Sequence, residues 1–152
     1  MRDELSTALQ LAVADTSLEQ IILQGVGDNF CAGGDLSEFG EAKDAGLAHL
    51  TRITRSPGAL IAELNQQISV KVQGACIGAG IELPAFASTI AAEPDAYFAL
   101  PEVGFGLIPG AGGTVSIPRR IGRQNTAKLA LMGSAINTVQ AIEWGLIDKI
   151  NG

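Results

Sequence analysis

The chain has 152 residues, with 16 Asp and Glu against 10 Lys and Arg, and 47% of its residues are hydrophobic. A chain of this length forms one domain and can bury roughly two-thirds of its unfolded surface. The acidic balance argues against nucleic acid as a partner, because phosphates require a basic face. No apolar run approaches the ~20 residues of a membrane span, and the N-terminus mixes both charges, unlike a secretory signal. We therefore expect a cytoplasmic protein without a membrane segment.

The first half of the chain predicts a helix, a strand, a helical segment and a second strand. Apolar residues recur at helical spacing from Arg2 to Ala14. Residues 18–25 are short, β-branched and bounded by turn residues, which predicts a strand. Residues 37–63 are helical in composition, and Ser56-Pro57-Gly58 predicts a helix stop within them. Apolar residues then alternate with polar ones from residue 68 to residue 73, which predicts a strand ending at Gly74.

The second half continues the alternation of strands and helices. A short helix carrying Glu82 is predicted to open at Gly78-Ala79-Gly80, followed by strands at 88–92 and 97–100. After a loop over 101–113, the sequence predicts three elements: a helix at 124–132, a helix at 138–144 and a strand at 147–150. Strands that alternate with helices predict an α/β fold.

Cysteine and histidine are scarce, and this limits the possible chemistry. Cys31 and Cys76 are too few for a disulfide framework, and no CxxC pair is present to bind zinc. We expect reduced thiols and no metal site, with Cys31 as a packed residue rather than a nucleophile. A single histidine, His49, and the lack of a G-x-S-x-G elbow argue against a serine-hydrolase triad.

Three glycine-rich segments stand out: residues 27–36 (GDNFCAGGDL), 74–82 (GACIGAGIE) and 101–114 (PEVGFGLIPGAGGT). Each of the first two follows a predicted strand, and the second opens a helix, where free backbone N–H groups favour negative charge. Such sites suit a phosphate, a carboxylate or an oxyanion. A dinucleotide fingerprint is disfavoured because Leu83 replaces its third glycine and Pro84 follows, and no P-loop motif occurs.

These segments resemble the motifs of the crotonase (enoyl-CoA hydratase/isomerase) superfamily. They are similar to the family patterns F-[CSA]-[AS]-G-x-D-[LI], G-x-x-x-G-x-G-x-E and P-E-x-x-x-G-x-x-P-G-x-G-G-T, in the same order and spacing. The resemblance covers essentially the whole chain, including residues 141–147, which resemble A-x-x-x-G-[LI]-[VI]. It implies an α/β fold of the crotonase-like ββα superhelix type (the ClpP/crotonase fold), in a single domain over residues 1–152.

The resemblance also implies a set of site residues. It places an oxyanion hole for the thioester carbonyl at the backbone N–H groups of Gly34 and Ala79. It places contacts with the acyl-CoA substrate at the following positions: Ala32, Gly33, Gly34, Asp35 and Gly78. The adenine-contacting carbonyls would be those of Ala32 and Gly34, and Asp35 would have a structural rather than a catalytic role. Coenzyme A is part of the substrate, so no separate cofactor is expected.

Two glutamates, Glu82 and Glu102, match the pair that faces the double bond in the family's hydratases. Syn addition of water needs one carboxylate to deprotonate water at Cβ and a proton for Cα. Two neighbouring carboxyls beside an apolar pocket raise one another's pKa, so one of them can stay protonated near neutral pH. The resemblance therefore implies an enoyl-CoA hydratase-like lyase. Simpler explanations stay open, because Glu82 would also complement a helix dipole and Glu102 would also cap the turn after Pro101.

Two other functions also stay open: an enoyl-CoA isomerase or another crotonase reaction, and a non-catalytic acyl-CoA-binding fragment. Three arginines, Arg119, Arg120 and Arg123, fit either contacts with CoA phosphates or a solvated basic helix end, and we favour the latter.

The sequence departs from the family at several points. The family's first strand and its C-terminal trimerisation helices have no counterpart, so we expect an incomplete core domain, truncated at both ends, with an open sheet edge and exposed apolar surface. For the full-length family, the resemblance implies a homotrimer or a hexamer. Ser37 replaces a Lys that often meets CoA phosphates, and Ser69, Lys71 and Gln73 are polar where the family has small apolar residues.

Overall fold

The computed structural model describes residues 1–34 and 56–151. The helices of this part of the chain are α1 (Arg2–Ala14), α2 (Pro57–Glu63), α3 (Ala79–Glu82), α4 (Gly113–Met132) and α5 (Thr138–Trp144). Its strands are β1 (Ile21–Gln24), β2 (Ile68–Val72), β3 (Ala75–Ile77), β4 (Thr89–Ala92), β5 (Tyr97–Ala99), β6 (Ile136–Asn137) and β7 (Lys149–Ile150). Two short 3₁₀ turns cover Pro84–Phe86 and Glu102–Phe105.

The strands form two sheets. The first sheet is parallel throughout, in the order β1-β2-β4-β7. In the second sheet β3 pairs in parallel with β5, and β5 pairs antiparallel with β6. Because β3 follows β2 after only two residues, the chain passes from one sheet to the other at Gly74, whose φ of 53° favours glycine.

The core joins the inner strands of both sheets to the helices, α2 and α4 among them. Ile61 of α2, Val70 of β2, Ile90 of β4, Phe98 of β5 and Ile117 of α4 all have zero solvent exposure. The alternation predicted for β2 is confirmed, since Ile68, Val70 and Val72 are buried while the residues between them are not. Strand β4 is buried almost continuously, as expected for an inner strand of a parallel sheet.

The segment Ser56-Pro57-Gly58 begins a helix, so the helix stop predicted there is wrong. The Ser56 side chain accepts a hydrogen bond from the N–H of Ala59 at 3.3 Å, and Pro57 occupies the first helical position. Serine at the N-cap and proline at the next position are a strong helix-start combination. The part of the predicted helix at residues 37–55 lies outside the described residues.

Helix α4 begins at Gly113, well before the predicted start at residue 124. Pro118 and Gly122 lie inside it, and both residue types weaken a helical signal in the sequence. Gly122 has a φ of 73° and a ψ of 164°, which kinks the helix and divides it into two halves. The first half carries the contacts with the candidate site described below.

At the periphery, β1 is an edge strand of the first sheet within the described residues, and Ile22 on it is exposed. Large apolar side chains are also exposed on the second half of α4 and on α5, among them Leu131, Met132 and Val139. None of the helices that the structure describes is long and apolar enough to cross a membrane.

Candidate active site

The first glycine-rich segment is fastened to the strand β2 and the start of β3. The side-chain amide of Gln73 donates to the carbonyls of Gly25 (3.1 Å) and Gly27 (3.0 Å). The side-chain oxygen of Asn29 accepts from the N–H of Ala75 at 2.8 Å. These side-chain bonds link positions nearly fifty residues apart, and they fix the loop that leads to Gly34.

The same segment continues as a short extension alongside β3. Cys31 and Cys76 are paired in a parallel bridge, and the N–H of Ile77 donates to the Cys31 carbonyl at 2.9 Å. Gly80 on α3 lies against this loop so closely that a β-carbon there would collide with the Cys31 carbonyl oxygen. The close approach explains the need for glycine at this position, and it brings the first two glycine-rich segments side by side.

The start of α3 supplies open backbone donors. Gly78 precedes the helix with a φ of 54°, a conformation that L side chains rarely adopt. Helical bonding begins with the N–H groups of Ile81 and Glu82, which both donate to the Gly78 carbonyl. Within the described residues, the N–H of Ala79 has no acceptor, as expected for the first position of a helix.

A cavity of about 280 Å³ lies where the three segments meet. It is lined by Ala32, Gly33, Gly34, Ile77, Gly78, Pro101, Glu102, Phe105 and Leu107. The predicted substrate contacts in the first two segments therefore share one cavity with one of the predicted glutamates. Asp35 lies outside the described residues. Ala79 directly follows the lining residue Gly78 and is not itself part of the lining.

Glu102 is the glutamate that lines the cavity. It is the first residue of the second 3₁₀ turn, directly after Pro101. Its Oε2 is buried and has no hydrogen-bond partner among the described residues. A β-carbon added to Gly78 would lie 2.5 Å from Oε1, so the carboxylate packs on bare backbone. A buried carboxylate oxygen without a partner is costly in a folded protein, and a water, a proton or a ligand atom would satisfy it.

Glu82 lies behind the cavity, with its side chain only 2% exposed. Its Oε2 accepts hydrogen bonds from the N–H groups of Ala111 (2.7 Å) and Gly113 (2.8 Å) at the start of α4. A β-carbon on Gly113 would lie 2.6 Å from the Glu82 side chain, so the third glycine-rich segment leaves room for this carboxyl.

Burial raises the pKa of Glu82 to about 7. The hydrogen bonds from the N–H groups of Gly113 and Ala111 lower the pKa, because they stabilise the charged carboxylate of Glu82. The nearby Glu102 carboxylate raises it further. The raised value makes Glu82 able to exchange a proton near neutral pH.

Two parts of this arrangement are not predicted from the sequence. The first is the pair of backbone donors at Ala111 and Gly113, which lie in the third glycine-rich segment, where Glu102 was the residue with a predicted role. The second is Arg120, whose side chain is 12% exposed and donates to the Ala85 carbonyl at 3.1 Å and the Ala87 carbonyl at 2.6 Å. The interpretation of Arg120 as part of a solvated basic helix end is therefore wrong.

Taken together, the sheets, the glycine-rich loops and the paired carboxyls define an α/β protein of the crotonase fold. The enoyl-CoA hydratase/isomerase family model matches residues 1–152, so the chain belongs to this acyl-CoA-binding family. It is 33% identical over 147 residues to the 2,3-dehydroadipyl-CoA hydratase of Escherichia coli K12, covering 97% of this chain and 57% of that protein. The chain thus spans a little over half the length of this curated relative.

Solved structures agree with this assignment of the fold. The enoyl-CoA hydratase from Thermoplasma volcanium superposes with a TM-score of 0.89 at 29% identity, over 99% of this chain and 60% of that one. The enoyl-CoA hydratase from Bacillus anthracis gives a TM-score of 0.87 at 30% identity, over 99% of this chain and 58% of that one.

Proposed function

We propose that this chain is an enoyl-CoA hydratase-like lyase that adds water to a 2-enoyl-CoA thioester. The observation that carries the proposal is the pairing of two carboxyls on different segments. Glu102 lines the cavity and has a buried oxygen without a partner among the described residues, and Glu82 lies next to it with its pKa raised to about 7. The names of the similar proteins support the same reaction class. A cytoplasmic location belongs to the same proposal, and a trimeric or hexameric assembly is expected for the full-length family.

The proposed reaction needs one proton shared by the two carboxyls. The deprotonated carboxyl accepts a proton from water as the water oxygen bonds to Cβ, and the C=C bond becomes a single bond. The resulting negative charge on the thioester oxygen is held by the N–H groups of Gly34 and Ala79. The protonated carboxyl then supplies the hydrogen at Cα, so the pair ends the cycle with one proton.

Hydration is favoured over isomerisation because isomerases of the family commonly keep only the second glutamate, whereas this chain has both. The test follows the enoyl-thioester absorbance of crotonyl-CoA with the wild type, Glu82→Gln and Glu102→Gln. We expect each substitution to lower kcat by about 10²- to 10⁴-fold. Glu19→Gln, at an exposed position between α1 and β1, is the matched control. Activity that survives both site substitutions would exclude the carboxylate mechanism, and conversion of a 3-enoyl-CoA would indicate an isomerase.

A second candidate function is acyl-CoA binding without turnover. It is favoured by the burial of Glu82, which does not line the cavity. Calorimetric titration with a saturated acyl-CoA distinguishes the two functions. Binding without any hydration of crotonyl-CoA would support the second candidate, whereas turnover that depends on Glu82 and Glu102 would exclude it.

A further inference from the structure

The first half of α4 holds Glu82 by its main chain as well as by its carboxyl. The Ser116 hydroxyl donates to the Glu82 carbonyl at 2.7 Å, and Ser116 has zero exposure. The N–H groups of Ala111 and Gly113 also donate hydrogen bonds to the Glu82 carboxyl. The start of α4 therefore holds both the side-chain carboxyl and the main-chain carbonyl of Glu82.

Arg120 lies four residues after Ser116 and so projects from the same face of α4. Its guanidinium donates to the carbonyls of Ala85 and Ala87, in the segment that directly follows Glu82. These hydrogen bonds tie the segment to α4. Ser116 thus binds the chain at Glu82, and Arg120 binds it at Ala85 and Ala87.

Arg120 is in turn fixed from its far side. Asp148 Oδ2 accepts from the guanidinium at 3.0 Å and also from the N–H of Ile90 at 2.7 Å, the second residue of β4. The kink at Gly122 ends this half of the helix two residues after the arginine. Ser116 and Arg120, which we call the clamp, therefore both lie in the first half of α4, and the second half lies outside the clamp.

We propose that Ser116 and Arg120 are positioning residues that hold the Glu82 carboxyl on the two N–H donors at the start of α4. This inference rests on the function proposed above. Neither side chain touches the cavity, so each acts through Glu82 and not on the substrate. If the clamp is loosened, the carboxyl loses the donors that stabilise its charged form while the apolar neighbours that bury it remain.

The charged and titratable surroundings of Glu82 are limited in the part of the chain that the structure describes. The elements packed on α3 carry Cys76 on β3 and the basic residues of α4. The Glu102 carboxyl is a further neighbour of the Glu82 carboxyl. Of these, Glu102 is the group that raises the pKa of Glu82, and Arg120 is engaged with carbonyls and Asp148. A change at Ser116 alters no charge, so it should act by moving the Glu82 carboxyl relative to the N–H donors of Ala111 and Gly113 and relative to Glu102.

The experiment uses the Ser116→Ala and Arg120→Met variants in two independent measurements. The first is hydration of crotonyl-CoA, with kcat and KM determined separately. The second is titration of the Glu82 carboxyl by ¹³C NMR on protein labelled at glutamate, with the signal assigned by Glu82→Gln. Thr126→Val is the matched control, because the Thr126 hydroxyl also donates to a backbone carbonyl, that of Gly122, but on the second half of α4.

For Ser116→Ala we expect kcat to fall about tenfold with KM within about twofold, and the midpoint of the Glu82 titration to rise above that of the wild type. Thr126→Val should change neither. Unchanged kcat and an unchanged titration in Ser116→Ala would overturn the proposal, even if Arg120→Met fails to fold. A wild type without turnover would refute the proposed function only, because the titration still reports whether Ser116 positions Glu82.

Discussion

Replacing Glu82 by glutamine tests whether the buried carboxyl carries a proton near neutral pH. In the folded protein burial raises the pKa of Glu82 from 4.5 to about 7. The native state therefore binds this proton more tightly than the unfolded state does. The contribution to stability is fully present below about pH 4.5 and is lost as the pH rises through about 7.

The size of this effect follows from the shift. At 1.36 kcal/mol for each pKa unit, the free energy of unfolding of the wild type should fall by about 3 kcal/mol between pH 4.5 and pH 7. Glutamine has a similar shape, and its side-chain oxygen can accept the bonds from Ala111 and Gly113 without titrating. The substitution should therefore remove this dependence on pH and make the protein more stable than the wild type above about pH 7.

The assay is urea unfolding of the wild type, Glu82→Gln and Glu19→Gln at several values between about pH 5 and about pH 8. The wild type and Glu19→Gln should lose stability over this range in parallel, because Glu19 is exposed. A wild-type stability that is flat or rises with pH would refute the raised pKa. A slope that persists in Glu82→Gln would show that another group is responsible.

Three further outcomes are expected. Gly78→Ala should lower the free energy of unfolding by about 1–2 kcal/mol and slow hydration, because the φ of Gly78 is 54° and a β-carbon there would meet Glu102. Gly104→Ala is the control, since a β-carbon at Gly104 meets nothing within 4 Å, and equal losses of stability in the two variants would contradict this prediction. Arg120→Met should cost about 3 kcal/mol in denaturant unfolding, because buried carbonyls lose their donor, and a loss below about 1 kcal/mol would contradict this. Cys76 should resist iodoacetamide in the native protein at about pH 8, as judged by mass spectrometry, because burial raises its pKa to about 12.

The sequence predicted the elements whose periodicity is undisturbed. Strand β2 and helix α5 were predicted at nearly their observed bounds, because alternation in one and the glycine after the other are local signals. The start of α4 was missed because Pro118 and Gly122 weaken the helical pattern, while tertiary bonds from Ser116 and Arg120 hold the helix in place.

The candidate site shows the same division between local and tertiary information. The glutamates were predicted from motifs, and the structure brings Glu102 to the cavity. The donors that hold Glu82 are backbone N–H groups at Ala111 and Gly113, and no residue type encodes a backbone donor. Their direction depends on where α4 begins, which is a property of the fold and not of the motif.

Gln73 gives a physical reason for one departure from the family pattern. A polar residue at the end of a strand is a poor fit for an apolar position, yet its amide donates to the carbonyls of Gly25 and Gly27. Those carbonyls lie at the start of the loop that carries Gly34, one of the proposed oxyanion donors. A small apolar side chain at this position would supply no donor for them, so the loop would have to be held in another way. The polar side chain is therefore part of what fixes the first glycine-rich segment beside the second.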